Sequence, residues 1–308
     1  MTLTVHPVPS MGAEDVVVSA EGVVLTGTED GAIWALDPVT GSTRRVADTG
    51  GRPLGLELLG RDHLLVCDAR RGLLKVSPTT GEVEVLLDLV EGRPMKFCNN
   101  AAVAADGTIW FSDSSLHYGV AEWKDDFVQD TGSGRLLRRD PDGTVTVVLT
   151  GLRFANGVAL AADESNVCVA ETRGRTVVRH WLTGPRAGER DHLVADLPGY
   201  PDNISRGSDG LIWVTIGSPV DGLVEVLGRA PLALRRLVTR IPEALQPKPR
   251  QTIRVQAYDD DGRLVHDVDL ARPEQGPGYH MVTGVREHDG RVRMGSLHEP
   301  SVAVHDLA

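Results

Sequence analysis

The sequence predicts an all-β protein, folded as a six-bladed β-propeller with a short helical or loop insertion capping one face. Three observations carry this expectation. Glycine is frequent, at 34 of 308 residues, while aromatic residues make up 4%. Short Val/Leu runs are separated by Asp-Gly and Pro-Asp turn signals, the punctuation of many brief strands. One pattern also recurs along the chain: an apolar strand, a D-G-like turn, a second apolar strand, a polar loop, and a third strand ending in Asp-Pro or a similar turn.

The units follow in order. DVVVSAEGVVLTGTEDGAIWALDP starts at Asp15 and GLELLGRDHLLVCDARRGLLKVSP at Gly55. NAAVAADGTIWFSDSS starts at Asn100 and is joined later by GRLLRRDPDGTVTVVL. GVALAADESNVCVAETRGRTVVRHWL starts at Gly157, NISRGSDGLIWVTIGS at Asn203 and GVREHDGRVRMGSLHEPSVAVHDL at Gly284. Each reads as a four-stranded antiparallel blade whose fourth strand lies in the variable linking segment. A spacing of roughly 40 to 80 residues fits blade repeats. A β-sandwich also has many short strands, but six in-phase units favour one propeller domain over residues 1–308. The last unit is expected to pair with the N-terminal strand, because a closed ring hides its edges.

Two insertions break the period. LHYGVAEWKDDFVQDTGS, about 116–133, lies between the second and third strands of the third blade and reads as a loop over one face. LGRAPLALRRLVTRIPEALQPKPR, about 227–250, reads as a basic amphipathic helix with Leu232, Leu234, Leu237 and Val238 near helical spacing. Such a helix can lie on a membrane, but it more often packs its apolar side on its own domain, so membrane contact is disfavoured. Either insertion is placed to cap a pocket.

Net charge is −11, which argues against a nucleic-acid partner, since phosphate binding needs a concentrated basic surface. The three cysteines, Cys67, Cys98 and Cys168, are widely spaced with no C-x-x-C pair. Reduced, buried thiols are expected. The N-terminus MTLTVHPVPSMGAED has no basic segment followed by an apolar core, and no run approaches the roughly 20 apolar residues of a membrane span. A cytoplasmic protein is expected.

In a propeller the first strand of each blade lines the central channel. The residues at the mouths of these strands include Glu14, Asn99 and Asn100, Asn156, and Asp202 with Asn203. Asn and Asp before a strand are ordinary turn residues that bond their own backbone. Four blades carrying Glu/Asn/Asn/Asp at corresponding places are harder to explain that way. The set is rich in oxygen and poor in His and Cys, which suits a hard cation with six to eight oxygen ligands, Ca²⁺ above all. Zn²⁺ prefers His or Cys and Mg²⁺ a tighter octahedron; these and Mn²⁺ are secondary choices. Within the set Glu14, Asn156 and Asp202 are the sharpest metal candidates, with Asn100 as a fourth.

Several motifs are similar to those of the strictosidine-synthase-like proteins. FANGVALAADESNVCVAET resembles their FPNGV-type strand pair, LPGYPDNISRGSDGLIWV their LPGYPDN segment, VREHDGRVRMGSL their EHDG strand pair, and FCNNAAVAADGTIWFSDSS their FxND…DGTIYFTDSS. The resemblance runs in order from about Glu14 to the C-terminus. It implies membership of the six-bladed superfamily that includes gluconolactonase (the senescence marker protein group), diisopropylfluorophosphatase-like hydrolases and the paraoxonases. Many of these hold a divalent cation at the channel mouth and hydrolyse lactones or related esters. Carried over, Glu14, Asn156 and Asp202 match the metal-ligand positions. Asn100 stands where the FxND motif has Asp, so one negative charge is missing. The plant synthases use a glutamate just before EHDG. Here Thr283 or a neighbour in HMVTGV stands there, so synthase chemistry is not expected. Glu287, inside EHDG, reads as structural.

The expected function is therefore metal-dependent hydrolysis of a lactone or ester, with a small-molecule substrate as partner and the oligomeric state left open. Asp202 would be ligand and general base, as the matching position is thought to be in gluconolactonases. No GxSxG elbow occurs. Histidine titrates near neutrality, and among His117, His280 and His298 the preferred proton carrier is His280, which leads into a channel strand. Asn99, Asn100, His117 and Tyr279 are the substrate-side candidates. Trp110, Tyr118, Trp123 and Tyr279 are expected to shape the pocket. Two other readings stand beside this one: an isomerase, lyase or cyclase on the same frame, and an inactive binding propeller with a structural cation.

Overall fold

The computed structural model describes residues 3–241, 250–270 and 278–307. Six four-stranded antiparallel sheets follow one another around a central axis. Their innermost strands are Val16–Val18, Pro53–Leu59, Cys98–Val103, Ala155–Leu160, Gly199–Arg206 and Val282–His288. They match the six units read from the sequence. The sixth blade takes Val282–His288, Arg291–Ser296 and Ser301–Asp306 from the C-terminal end and Leu3–Pro7 as its outermost strand. That strand pairs from Leu3 opposite His305 to Pro7 opposite Ser301, the expected closure.

The core lies between blades. Leu65, Cys67 and Leu73 of the second blade bury against Ile109, Phe111 and Leu137 of the third. Burying each large apolar side chain contributes roughly 1.5–3 kcal/mol. All three cysteines are buried and unbridged.

One irregularity recurs and positions the site. The innermost strands of blades two to six each slip register against their neighbour, between Pro53/Leu56, Cys98/Ala101, Ala155/Val158, Pro201/Ile204 and Val282/Val285. Such slips bend the strand and re-aim side chains. The two residues inside each slip are 54–55, 99–100, 156–157, 202–203 and 283–284. Glu14 and Asp15 stand at the matching place just ahead of Val16–Val18. The second residue of each pair alternates around the ring: Asp15, Gly55, Asn100, Gly157, Asn203, Gly284. The glycines let the polar neighbours in. A Cβ on Gly157 would sit 2.0 Å from the Ile204 nitrogen, and one on Gly55 2.7 Å from the Asn100 amide.

Both insertions cover the same end of the channel, and both differ in detail from expectation. The first is not a loop: it holds a 3₁₀ turn, Val120–Glu122, and helix α1, Trp123–Gln129. Asp125 and Asp126 sit in its first turn, where the helix dipole favours acids. The buried Asp126 is tied by Ser115 and Thr131 hydroxyls at 2.5 and 2.7 Å. The second insertion is two helices rather than one: α2, Gly222–Gly228, and α3, Leu232–Thr239. Gly228 and Pro231 interrupt the pattern between them. Asp221 caps α2 by accepting from the Leu223 and Val224 amides. The expected packing of the α3 apolar side is only partial. Val238 faces the cavity, while Leu232, Leu234 and Leu237 stay exposed. Residues 242–249 of this insertion lie outside the described set. No helix among the described residues is long and apolar enough to cross a membrane.

Candidate metal centre and its cavity

The first residues of the slipped pairs form a ring facing the covered end: Glu14, Leu54, Asn99, Asn156, Asp202 and Thr283. All but Thr283 line a cavity of ≈ 180 Å³. Thr283 is wholly buried and donates to the Glu14 carbonyl at 2.9 Å. Glu14, Asn99 and Asn156 are buried, while Asp202 keeps some exposure into the cavity.

The electrostatics of this floor are unfavourable as they stand. Burial pushes the Glu14 carboxyl up to about 7, with Arg52 pulling it down and Asp15 adding to the rise. Arg52 holds Glu14 at 3.2 Å and the Gly12 carbonyl at 3.0 Å. Asp202 is pushed well above the usual carboxylate range by burial and by the neighbouring Glu14, against a hydrogen bond from Asn156. Desolvation disfavours the charged form, and a second carboxylate disfavours it further.

Two amide oxygens complete the floor. Asn156 also donates to Thr172 Oγ1 at 3.2 Å, and its Oδ1 is buried without a hydrogen-bond partner. Asn99 donates to Ser114 Oγ at 2.9 Å, and its Oδ1 is likewise unpartnered. Buried polar atoms are nearly always satisfied, so two orphaned oxygens beside two strained carboxylates ask for a cation. Among the described residues no set of three or more His, Cys, Asp or Glu side chains is disposed to hold a metal. The amides are therefore needed to complete such a site. An all-oxygen set of this kind fits a hard cation.

The structure puts the other candidates elsewhere. Asn100, expected as a ligand, has its amide engaged between blades: Nδ2 donates to Asp15 Oδ2 at 3.3 Å and Oδ1 accepts from the Val158 amide at 2.9 Å. It does not line the cavity; its neighbour Asn99 does. His280 lies outside the cavity, with Nδ1 against Glu299 Oε1 at 2.6 Å and its ring stacked on His298. His117 is exposed. Tyr279 is a core residue whose hydroxyl donates to the Met294 carbonyl at 2.6 Å. Of the four pocket aromatics only Trp123 lines the cavity; Trp110 is in the core and Tyr118 donates to Gln129. Glu287 accepts from Ser208, Asp209 and Gly290, a structural link between blades five and six.

Sequence reasoning missed Arg52, Thr172 and the aromatic walls. Phe97 and Phe154 meet edge to face at 5.4 Å, and Phe127 meets Tyr200 at 5.0 Å. Arg173 anchors the roof: it donates to Glu225 at 2.9 Å and the Val224 carbonyl at 3.2 Å, and lies over the Phe127 ring. Tyr200 donates to Glu225 as well, at 3.0 Å.

Comparison with known proteins agrees with the fold. The profile of the SMP-30/Gluconolactonase/LRE-like region matches residues 7–225. The chain belongs to this family. Glu14, Asn99, Asn156 and Asp202 all fall inside the match, while α3 and the cavity residues Met281 and Leu297 lie beyond it. The adipocyte plasma membrane-associated protein of Salmo salar is 31% identical, over 96% of this chain and 77% of that protein. Strictosidine synthase-like 13 of Arabidopsis thaliana is 35% identical, over 77% of this chain and 60% of that protein. Two solved structures share the fold. A gluconolactonase from Xanthomonas campestris superposes with TM-score 0.71 at 16% identity, over 99% of this chain and 89% of that one. The calcium-binding regucalcin of Agrobacterium tumefaciens gives 0.66 at 15%, over 97% and 90%.

Proposed function

We propose that this family member is a divalent-cation-dependent hydrolase of a lactone or related ester, with Ca²⁺ as the ion. The observation that carries the reading is the cavity floor. Two carboxylates are held there above their ordinary range, beside two buried amide oxygens without partners. Glu14, Asn99, Asn156 and Asp202 would hold the ion. An ion held there would supply Lewis-acid polarisation of an acyl carbonyl and positive charge beside the oxyanion. Family membership and the gluconolactonase and regucalcin likenesses support the same choice.

The residues of the chain divide the remaining work. Asp202, the floor carboxylate that reaches into the cavity, takes the proton of the attacking water. Asn156 orients Asp202 through its hydrogen bond, and Arg52 fixes Glu14. Leu54, Phe97 and Phe154 keep bulk water off the floor. His280 is given no step, because its ring lies against Glu299. The synthase reaction is disfavoured, since Thr283 stands where an acid would be needed. The three unbridged, buried thiols support a reducing compartment, the cytoplasm.

The test is an assay of lactones and aryl esters with and without EDTA. Hydrolysis should vanish on chelation and return with Ca²⁺. Asp202→Asn should bind Ca²⁺ weakly and lose roughly 10²–10³ in kcat. Turnover that persists in EDTA, or in Asp202→Asn, rejects the reading.

A further inference from the structure

The floor of the cavity is polar, and its walls and roof are predominantly apolar. Leu54, Phe97 and Phe154 line the wall, and Trp123, Phe127 and Leu227 close the roof from α1 and α2. Lys124, Asp125, Ser218 and Arg250 also reach the lining, but several of its polar groups are already engaged. Tyr200 Oη donates to Glu225 and accepts from the Asp221 amide. The Asp221 carboxylate caps α2, and Thr172 accepts from Asn156. Thr239 donates to the Arg236 carbonyl and accepts from Gln129.

A polyhydroxylated sugar lactone would bury several hydroxyls against mostly apolar walls, with few partners for them, and that is costly. An alkyl or aryl tail meets the opposite situation, because apolar surface leaving water is favourable. The roof is also pre-formed. The Phe127–Tyr200 and Phe97–Phe154 pairs fix ring positions, and Arg173 holds α2 over them.

We propose that the substrate is a lipophilic lactone or ester, its carbonyl on the floor and its alkyl or aryl tail under the α1–α2 roof. The choice of reaction rests on the hydrolase reading above; the choice of ligand class rests on the walls alone. Hydrolysis adds water across the acyl C–O bond and gives the hydroxy acid, or the acid and alcohol.

The test uses the full chain in Ca²⁺ and a series of γ-lactones with tails from methyl to heptyl, beside D-glucono-δ-lactone. Each methylene should raise kcat/KM about fourfold until the cavity is filled. The sugar lactone should be slower than the best alkyl lactone by about 100-fold or more. Phe127→Ala should flatten the series, with circular dichroism confirming the fold, and Leu227→Gln on the other helix should do the same. Equal turnover along the series, or preference for the sugar lactone, overturns the proposal. If no ester is cleaved, cyclic ketones with the same tails are titrated against the fluorescence of Trp123, with Trp123→Phe as control. Affinity rising with tail length then keeps the ligand class and discards the hydrolase; flat affinity overturns the ligand class itself.

Discussion

Asn100 shows what a single amide does beside a carboxylate. Its Nδ2 donates to Asp15 Oδ2 at 3.3 Å, and that Asp15 oxygen also accepts from the Leu56 amide at 3.0 Å. Burial pushes Asp15 up to about 6. The resembling motif has Asp where Asn100 stands, and here a second acid would face the first. Asn100→Asp should therefore cost about 3 kcal/mol of stability near pH 8. The sign follows from the raised values. A buried carboxyl whose folded value lies above its unfolded one stabilises at low pH and loses that contribution as pH rises through the folded value. The penalty should thus shrink toward pH 4, where the pair shares a proton, and grow above pH 6. Urea denaturation at both ends of this range measures it. An equal penalty throughout would assign the effect to packing instead. The same residue marks how far the site was legible. Strand-mouth reading named Glu14, Asn156 and Asp202, which line one cavity, and gave Asn99, which joins them there, beside Asn100. The register that separates them was present in the repeat: one residue ahead of Asp15, Gly157 and Asn203 gives Glu14, Asn156 and Asp202, and one ahead of Asn100 gives Asn99. The histidines misled because titration range says nothing of direction, and His280 turns to Glu299.

At the scale of elements, the inner strands were legible and the roof was less so. Strands announce themselves by alternation and by Asp-Gly turns, whereas α1 has seven residues and is stabilised by tertiary bonds to Asp126 rather than by its own pattern. Short helices depend on such support. Helix α1 is also docked from below, by Arg153 gripping Asp130 at 2.9 and 2.6 Å, and from the side, by Gln129 donating to Thr239 of α3 at 3.2 Å. Helix α2 hangs on Arg173, which is 4% exposed and reaches Glu225, the Val224 carbonyl and the Phe127 ring together. The described helices of the two insertions are thus tied into one roof. Arg173→Ala should loosen it without disturbing the floor. KM for a tailed lactone is expected to rise about tenfold, with a smaller change in kcat, since charge-assisted bonds of this type are the strong ones. Arg173→Lys should recover little, because an ammonium lacks the planar fork. Limited proteolysis near 222–241 should speed up in both variants. A fall in kcat at unchanged KM would instead tie Arg173 to the floor.

For the whole molecule, ring closure and the proposed cation site bear on one another. The closing strand Leu3–Pro7 pairs with Ser301–Asp306 and so joins the sixth blade to the chain that leads into the first. Glu14 follows a few residues later, donated to the floor by that first blade, while Asn99, Asn156 and Asp202 come from the third, fourth and fifth. A cation held by this set would bind blades across the axis as the closing strand binds them around the rim. Two clamps on one ring should substitute for each other in part. Removing Leu3–Pro7 exposes the edge of Ser301–Asp306 and should lower the unfolding midpoint by roughly 5 °C or more in EDTA. Excess Ca²⁺ should recover part of that loss, because a ligand bound only by the folded ring stabilises it in proportion to its occupancy. Differential scanning calorimetry of parent and truncated chains, each with EDTA and with Ca²⁺, measures both terms. An unchanged midpoint in EDTA would show that closure contributes little. A loss that Ca²⁺ leaves untouched would place the cation outside the forces that hold the blades together, and would leave its role to chemistry alone.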